Sequence, residues 1–141
     1  MNTWATLLRA HAAVVRRLED HLSQTNGLPL PWYDVLLELE HAPGRRLRMQ
    51  DLGNRAVLSR SRVSRIVDEL VAAGLVVREP DPDDRRGAFA VLTPVGRSRM
   101  RRAAPAYLRG IDEHFTSHLS DRELSMMRAA CERLIEADGL A

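Results

Sequence analysis

The stretch Leu58-Ser-Arg-Ser-Arg-Val-Ser-Arg-Ile-Val-Asp-Glu-Leu70 decides how the rest of this 141-residue sequence is interpreted. Four of its apolar residues recur at i, i+3, i+4 and i+7, which predicts an amphipathic helix with one buried side. They are Val63, Ile66, Val67 and Leu70. Ser59 suits the N-cap, because its hydroxyl can accept a backbone N–H of the first turn, and Gly74 is typical of a helix end. The sequence therefore marks both ends of this helix.

The exposed side of this helix carries its charges in an order that does not favour an isolated helix. Arginines crowd the first turns, beside the positive end of the helix dipole, while Asp68 and Glu69 lie toward the negative end. Such an arrangement indicates an external anionic partner, although a solvated basic face is the alternative. Arginine and serine suit phosphate oxygens and guanine edges. The candidate DNA contacts on this helix are Ser59, Arg60, Ser61, Arg62, Ser64 and Arg65.

The segments on either side of this helix favour DNA as the anion. Residues 50–56 read as a short helix with Leu52 turned inward, and about three residues separate it from Ser59, a helix-turn-helix spacing. Beyond Gly74, two β-prone runs at 75–79 and 88–92 flank a charged loop of turn formers at 80–87. A helix-turn-helix followed by a hairpin with a basic tip is a winged helix.

The order and spacing of these motifs resemble the multiple-antibiotic-resistance regulator (MarR) family. The motifs are Leu58-Ser-x-Ser-x-Val-Ser-Arg-Ile-Val-Asp-x-Leu70, Ala73-Gly-Leu-Val-x-Arg78, Asp81-Pro-x-Asp-Arg-Arg-Gly87 and Val91-Leu-Thr-x-x-Gly96. Because the flanking helices also fit, the resemblance spans nearly the whole chain. It implies a homodimeric winged-helix transcription factor, in most cases a repressor. Such a protein binds a pseudo-palindromic operator on double-stranded DNA and is released by a small-molecule effector, by oxidation or occasionally by a metal.

The resemblance also implies roles for individual residues. Residues 59–65 match the face that reads the major groove. Asp84 and Arg86 match the Asp-x-Arg of the wing, in which the arginine reaches the minor groove and the aspartate stabilises the wing; Arg85 is a further DNA contact. Val57 departs from the family, whose turn often has glycine here, because a β-branched residue disfavours a left-handed backbone.

Composition limits the class of protein. The length suits one domain, 1–141, with a DNA-binding region at 31–93 and helical dimerisation regions at 1–30 and 94–141. The expected fold class is mainly α with a small β-hairpin wing. Aromatic residues make up only 4%, too few for a platform that stacks single-stranded bases. The net charge is only +2, but all 21 basic residues are arginine and eleven lie between Arg45 and Arg97.

The sequence gives no sign of catalysis or of a membrane. It contains no phosphate-binding glycine loop, nucleophile elbow or metalloprotease motif, so we expect neither enzymatic activity nor a cofactor. Charged residues such as Arg9 and Arg16 interrupt the N-terminal apolar residues well short of a signal or transmembrane length. A single cysteine, Cys131, fits a reducing compartment. We therefore expect a soluble cytoplasmic protein.

Helices with apolar seams are predicted at both ends of the chain. Residues 2–24 repeat apolar positions in steps of four and three, as do residues 94–118, where Pro105 should kink or break the helix. Ser120 and Glu123 have the spacing of a capping box and open a last helix that turns Cys131 inward, which would leave this thiol inert. Seams at both ends imply an intertwined homodimer.

A further helix should begin near Pro31 and bury Trp32, Val35, Leu36 and Leu39. Members of the resembled family often bind effectors between this helix, the dimerisation helices and the winged region. The candidate pocket residues are His11, Val15, Trp32, Tyr33 and Leu36. For Trp32 and Tyr33 core packing is the favoured alternative, and for His11 it is a hydrogen bond at a helix interface.

Three other functions stay open. His114 and His118, four apart on one predicted helix, could chelate zinc in a metal-responsive regulator, although ordinary surface or seam histidines are the favoured explanation of this weak pair. A winged-helix module could direct its arginines at an acidic protein surface. An architectural protein would coat DNA without sequence preference. Salt dependence together with sequence preference distinguishes a regulator from both of the latter.

Overall fold

The structure, a computed structural model, describes residues 2–139; residues 1, 140 and 141 of the predicted domain lie outside the described residues. Its elements in chain order are α1 (Thr3–Asn26), α2 (Leu30–His41), β1 (Arg46–Arg48), α3 (Met49–Arg55), α4 (Arg60–Ala72), β2 (Val76–Asp81), β3 (Asp84–Leu92), α5 (Pro94–His114) and α6 (Asp121–Ala137). Short 3-10 turns occur at Pro43–Arg45 and Thr116–His118. This mainly helical fold with a small antiparallel sheet confirms the predicted fold class.

The described chain divides into two compact units. The winged unit comprises residues 22–106, and the terminal unit comprises residues 2–21 together with 107–139. The core of the winged unit is aliphatic, as the scarcity of aromatic residues requires. Its fully buried side chains include Val35, Leu36, Leu39, Leu52, Val67, Leu70 and Val76. The functional division into regions 1–30, 31–93 and 94–141 stays a prediction.

Helix α4 has the ends and the buried side that the sequence predicts. The Ser59 hydroxyl accepts the N–H of Arg62 at 3.2 Å. All four residues of the apolar stripe are at most 6% exposed. At the other end Gly74 has φ +76°, its N–H donates to Val71 O at 3.0 Å and the N–H of Leu75 donates to Leu70 O at 2.9 Å. These two bonds and the left-handed glycine form a Schellman motif.

Helix α3 ends in the same motif with valine in the place of glycine. Val57 has φ +56°, its N–H donates to Asn54 O at 3.3 Å, and the N–H of Leu58 donates to Gly53 O at 2.8 Å. The left-handed turn is therefore kept despite the β-branched side chain, which is 87% exposed and gains almost no burial in return.

The sheet contains one strand more than the predicted hairpin, in the order β1-β3-β2. The short strand β1 pairs antiparallel with β3, with Arg46 opposite Val91 and Arg48 opposite Phe89. Strands β2 and β3 also reach further than predicted, so that Asp81 pairs with Asp84 after a bulge at Pro80. The predicted loop at 80–87 is therefore wrong.

Only Pro82 and Asp83 separate the two wing strands, and Arg85 and Arg86 belong to β3. The turn is tight because aspartate side chains satisfy its backbone. Asp81 Oδ1 accepts the N–H of Asp83 at 2.9 Å, and Asp84 Oδ1 accepts the N–H of Arg86 at 3.0 Å.

The start of α5 lies against the loop that follows α4. Thr93 caps α5 by accepting the N–H of Gly96 at 2.9 Å, and its own hydroxyl donates to Gly74 O at 2.8 Å. A Cβ on Gly96 would lie only 2.0 Å from Leu75 O, so no other residue fits without movement of the backbone. The helix continues through Pro105 without a break.

Helix α5 ends at His114, four residues earlier than predicted. Phe115 leaves the helical conformation, with φ −135° and ψ −72°, and His118 lies in the following 3-10 turn. The premise that His114 and His118 share one helix is therefore wrong.

Helix α6 opens with the predicted capping box, in which the Ser120 hydroxyl accepts the N–H of Glu123 at 3.2 Å and Glu123 Oε2 accepts the N–H of Ser120 at 2.8 Å. Its predicted inward side is exposed, including Cys131 and Leu134, which is 66% exposed. The inward position predicted for Cys131 is therefore wrong for the single chain, whereas the inertness of its thiol stays a prediction.

Within residues 2–139, no helix combines the length and apolar character needed to cross a membrane.

We expect Val57→Gly to raise the free energy of unfolding by about 0.5–1 kcal/mol. Glycine removes a left-handed penalty of about 1–2 kcal/mol, while the more flexible unfolded chain returns about 0.4–1 kcal/mol. Urea unfolding of the two proteins measures the difference. Val57→Ala, which keeps the penalty without the branched side chain, should gain less. A loss of stability in Val57→Gly would mean that Val57 makes a stabilising contact despite its exposure.

Candidate nucleic-acid interface

The exposed side of α4 presents the basic residues that the sequence singles out. Arg60, Arg62 and Arg65 are exposed, as are Ser59 and Ser61, while Ser64 is half-buried. The buried stripe on the opposite side fixes the rotation of the helix in the winged unit, so these side chains cannot turn inward without exposing the stripe. The structure thus leaves five of the six predicted α4 residues exposed and Ser64 partly covered.

The eleven arginines between residues 45 and 97 fall into two groups. Five form ion pairs of 2.8–3.2 Å with carboxylates. They are Arg45, Arg46, Arg48, Arg78 and Arg97. The other six form no ion pair with any residue in the described range 2–139. They are Arg55, Arg60, Arg62, Arg65, Arg85 and Arg86. The predicted DNA contacts include every member of the second group except Arg55.

Arg78 joins strand β2 to helix α4, and sequence analysis missed this role. Its Nη2 donates to the backbone oxygen of Ser64 at 3.1 Å and to the Ser64 hydroxyl at 3.3 Å. Its Nη1 lies 3.0 Å from Asp68 Oδ1. The Ser64 hydroxyl accepts from Arg78 and keeps its own hydrogen to donate to a ligand. The wing and the basic face of α4 are therefore held in one geometry.

The turn of the wing is fixed by a second arginine, Arg48. Its Nε donates to Asp81 Oδ2 at 2.8 Å. Its guanidinium lies 5.0 Å from the centre of the Phe89 ring, and the guanidinium of Arg46 lies 4.0 Å from the same ring centre. The hydrogen bond from Arg48, together with the N–H of Asp83, holds the pKa of Asp81 below its usual value. Asp81 is also the buried polar residue of the wing, at 6% exposure.

A third ionic cluster, formed by Glu40, Arg45 and Arg97, stabilises the winged unit at α2 and the start of α5. Glu40 of α2 accepts Arg97 Nε through both carboxylate oxygens, at 3.0 and 3.1 Å, and accepts Arg45 Nε at 3.2 Å. Partial burial opposes the charged form of Glu40, but the hydrogen bonds and charges of Arg97 and Arg45 outweigh it and hold the pKa of the carboxyl below its usual value. This cluster connects α2, the loop before β1 and α5.

An open cleft of about 440 Å³ separates α4 from the wing. It brings Arg60 and Ser64 of α4 together with Asp84 and Arg86 of β3, so part of the predicted set shares one site. The paired Arg48 and Arg78 line the same cleft. Several guanidinium groups around a groove of this kind suit a phosphate-bearing ligand.

Arg62 and Arg65 border a different cleft, next to Trp32. The indole N–H of Trp32 donates to Glu69 Oε2 of α4 at 2.8 Å. Trp32 is only half-buried, so its predicted place on the buried face of α2 is wrong. Tyr33 lies in the core instead, at 2% exposure.

The other effector candidates are not among the residues that line this second cleft. Leu36 and Tyr33 belong to the core of the winged unit and do not line the cleft. In the terminal unit, His11 is exposed and Val15 is half-buried.

Comparisons with known proteins agree with this geometry. The sequence profile of the MarR family matches residues 26–87. A putative transcriptional regulatory protein for the hcr operon of Thauera aromatica is 30% identical over 132 residues, which cover 94% of this chain and 78% of that protein.

Two solved structures from Streptomyces coelicolor, both of MarR family transcriptional regulators, are also similar. AbsC is 34% identical, with a TM-score of 0.84 and coverage of 95% of this chain and 90% of that one. Sco3205, solved in complex with DNA, is 31% identical, with a TM-score of 0.86 and coverage of 95% and 84%.

We expect Asp81→Asn to destabilise the winged unit at neutral pH. Because the folded state lowers the pKa of Asp81, the charged carboxylate stabilises the fold above its ordinary value of 3.8, and this contribution is lost as the pH falls through the lower folded value. Urea unfolding at a series of pH values should therefore show wild type and variant converging in acid.

The control is Asp83→Asn. The Asp83 carboxylate lies 3.6 Å from Arg48, and the Asp83 side chain is 81% exposed. It should change stability little, because exposed ion pairs contribute about 0–1 kcal/mol. Equal effects of the two substitutions would contradict the assigned role of Asp81.

Proposed function

Since the chain belongs to the MarR family of winged-helix transcriptional regulators, we propose that it acts as a homodimeric repressor on a pseudo-palindromic operator. The observation that carries this proposal is the division of the arginines into those with and those without an acidic partner. Those that join elements of the winged unit have acidic partners, whereas those on the exposed face of α4 and on β3 have none among the described residues. Unpaired guanidinium groups concentrated on one helix and one hairpin suit a polyanion.

The two elements take different parts in DNA binding. Helix α4 enters the major groove, where Arg60, Arg62 and Arg65 with the neighbouring serines contact base edges and phosphates. Strand β3 directs Arg86, with Arg85, toward the minor groove. The ion pair and hydrogen bonds of Arg78 support this assignment, because they hold the two elements at a fixed separation. Asp84 contributes by accepting the N–H of Arg86 and so orders the backbone that carries it.

A second copy of the chain completes the protein. Large apolar side chains at both ends of the chain are more than one third exposed. They are Trp4, Leu7, Leu8, Leu108, Met126, Met127, Leu134 and Ile135. A homodimer formed by α1, α5 and α6 would cover them, and its two-fold axis would present two α4 helices about one duplex turn apart.

A small-molecule effector would act most directly at Trp32. This side chain borders an open cleft, and its indole N–H contacts Glu69 on the helix that we assign to the major groove. A ligand that displaces this hydrogen bond would change the support of α4. His11, Val15, Tyr33 and Leu36 stay candidates for an effector site, with no cleft to support them.

The experiment that tests the function is selection of random duplex DNA by the purified protein, followed by binding measurements at several salt concentrations. We expect a pseudo-palindrome with two half-sites and an affinity that falls steeply with salt. Enrichment of no sequence, with tight binding to all duplexes, would indicate an architectural protein. Absence of DNA binding would favour a protein-interaction module.

Substitutions separate the roles of the arginines on the selected site. Arg62→Ala and Arg65→Ala should reduce discrimination between bases, by about 1–3 kcal/mol where the arginine contacts a guanine. Arg86→Ala should weaken binding to specific and random duplexes alike and lower the salt slope by about 1. The matched control is Arg133→Ala, which removes one exposed arginine from α6, outside α4 and β3. Light scattering checks that this variant has the oligomeric state of wild type, and its DNA binding should then be unchanged. Equal losses on specific and random DNA for all three interface variants would contradict the assigned division.

A further inference from the structure

Three side chains that can bind a metal converge between α1 and α5 in the terminal unit. The ligand atoms of His21, Glu113 and His114 all lie within 4.8 Å of one another. His21 Nδ1 is 3.9 Å from Glu113 Oε2, and the rings of His21 and His114 meet edge to face, with centroids 5.7 Å apart. Residues on two helices thus place two imidazoles and one carboxylate around a common point.

Gly110 allows this convergence. A Cβ at this position would lie 3.0 Å from Leu18 Cδ2 and 3.1 Å from His21 Cδ2, closer than ordinary van der Waals contact. The absence of a side chain therefore lets α1 approach α5 one turn before Glu113 and His114. His21 is held there with a side chain only 17% exposed, while Glu113 reaches the site from solvent with a side chain 65% exposed.

The distances can be compared with those of a zinc centre. Zinc binds nitrogen and carboxylate oxygen at about 2.0–2.2 Å, so ligand atoms in a tetrahedral site are about 3.4 Å apart. The 3.9 Å between His21 Nδ1 and Glu113 Oε2 exceeds this value by about 0.5 Å, and no separation in the cluster exceeds it by more than about 1.4 Å, which rotation of the side chains can remove. His114 and Glu113 end α5, because the chain leaves the α-helix at Phe115.

We propose that His21, Glu113 and His114 form a Zn²⁺ site with three protein ligands and water in the fourth position. Two imidazoles with one carboxylate favour zinc over magnesium or calcium, which prefer oxygen ligands. The site differs from the pair suggested by the sequence, because His118 lies in the 3-10 turn and is not a member of the cluster. It does not depend on the proposed DNA-binding role, since all three ligands belong to the terminal unit.

The bound ion would connect the C-terminal part of α1 to the end of α5. A ligand that binds only the folded state stabilises it in proportion to its concentration relative to Kd. The melting temperature of the metal-free protein should therefore rise on addition of Zn²⁺ and stay unchanged on addition of Mg²⁺.

The test is a titration of the full-length protein, freed of metal by a chelator, with Zn²⁺ in competition with a chromogenic chelator. We expect one ion per chain. Glu113→Gln and His114→Gln should each weaken binding at least about tenfold, since loss of a ligand should cost no less than loss of an outer-shell partner. Glu113 is exposed enough for its substitution to leave the fold intact, which circular dichroism of the metal-free variant checks.

Two further variants make the result decisive. His118→Gln removes a histidine that lies four residues after His114 in the chain, and this variant should bind zinc as wild type does. Gly110→Ala keeps all three ligands but pushes His21 away from α5, and should weaken binding as well. The proposal is overturned if wild type and Glu113→Gln bind zinc equally, or if His118→Gln loses as much affinity as His114→Gln.

Discussion

The geometry of the winged unit depends on the contact between Gly96 and the carbonyl oxygen of Leu75. Helix α4 ends just before this point, β2 begins at Val76, β3 ends at Leu92 and α5 begins at Pro94. Four elements therefore meet at this point, where the backbones of Gly96 and Leu75 are too close for a side chain on Gly96. Thr93 connects the same segments through bonds to Gly74, Leu75 and Gly96. The position of the wing relative to α4 follows from this junction before any side chain at the tip contributes.

Side-chain charges then complete what the backbone begins. Arg78 spans from β2 to α4, Arg48 holds the turn of the wing through Asp81, and Glu40 collects Arg45 and Arg97 behind the sheet. Each of these guanidinium groups satisfies an acidic or carbonyl oxygen within the protein. The same residue type thus has two roles: it fixes the positions of the elements, and it supplies the unpaired groups of the proposed DNA interface.

The sequence predicts the local features of this fold well, because their causes are local. The cap at Ser59, the stripe on α4, the stop at Gly74 and the capping box at Ser120 each depend on residues within a few positions of one another. Strand β1 escaped prediction because Arg46-Leu-Arg48 becomes a strand only by pairing with β3, more than forty residues later. The wing strands were predicted too short because aspartate side chains replace the longer loop that the turn formers suggested.

The candidate site shows the same limit. Composition and spacing show that arginines are concentrated on α4 and the wing, but they do not distinguish Arg78, which has a carboxylate partner, from Arg62, which has none among residues 2–139. That difference depends on which acidic residues the fold brings near each arginine. His21 likewise meets Glu113 and His114 only through the crossing of α1 and α5, so no spacing in the sequence could indicate the cluster.

The exclusive use of arginine has a consequence for how this surface responds to the cell. In proteins guanidinium groups keep their charge at physiological pH, and they lack the amine that acetylation neutralises. Helix α4 and both wing strands also contain no histidine. Near neutral pH the charge of these elements is therefore insensitive to pH. On the proposed function, their attraction for phosphate there changes with ionic strength or with a shift in the positions of the groups. A regulator of this kind responds near neutral pH to movement of its charged groups rather than to a change in their protonation.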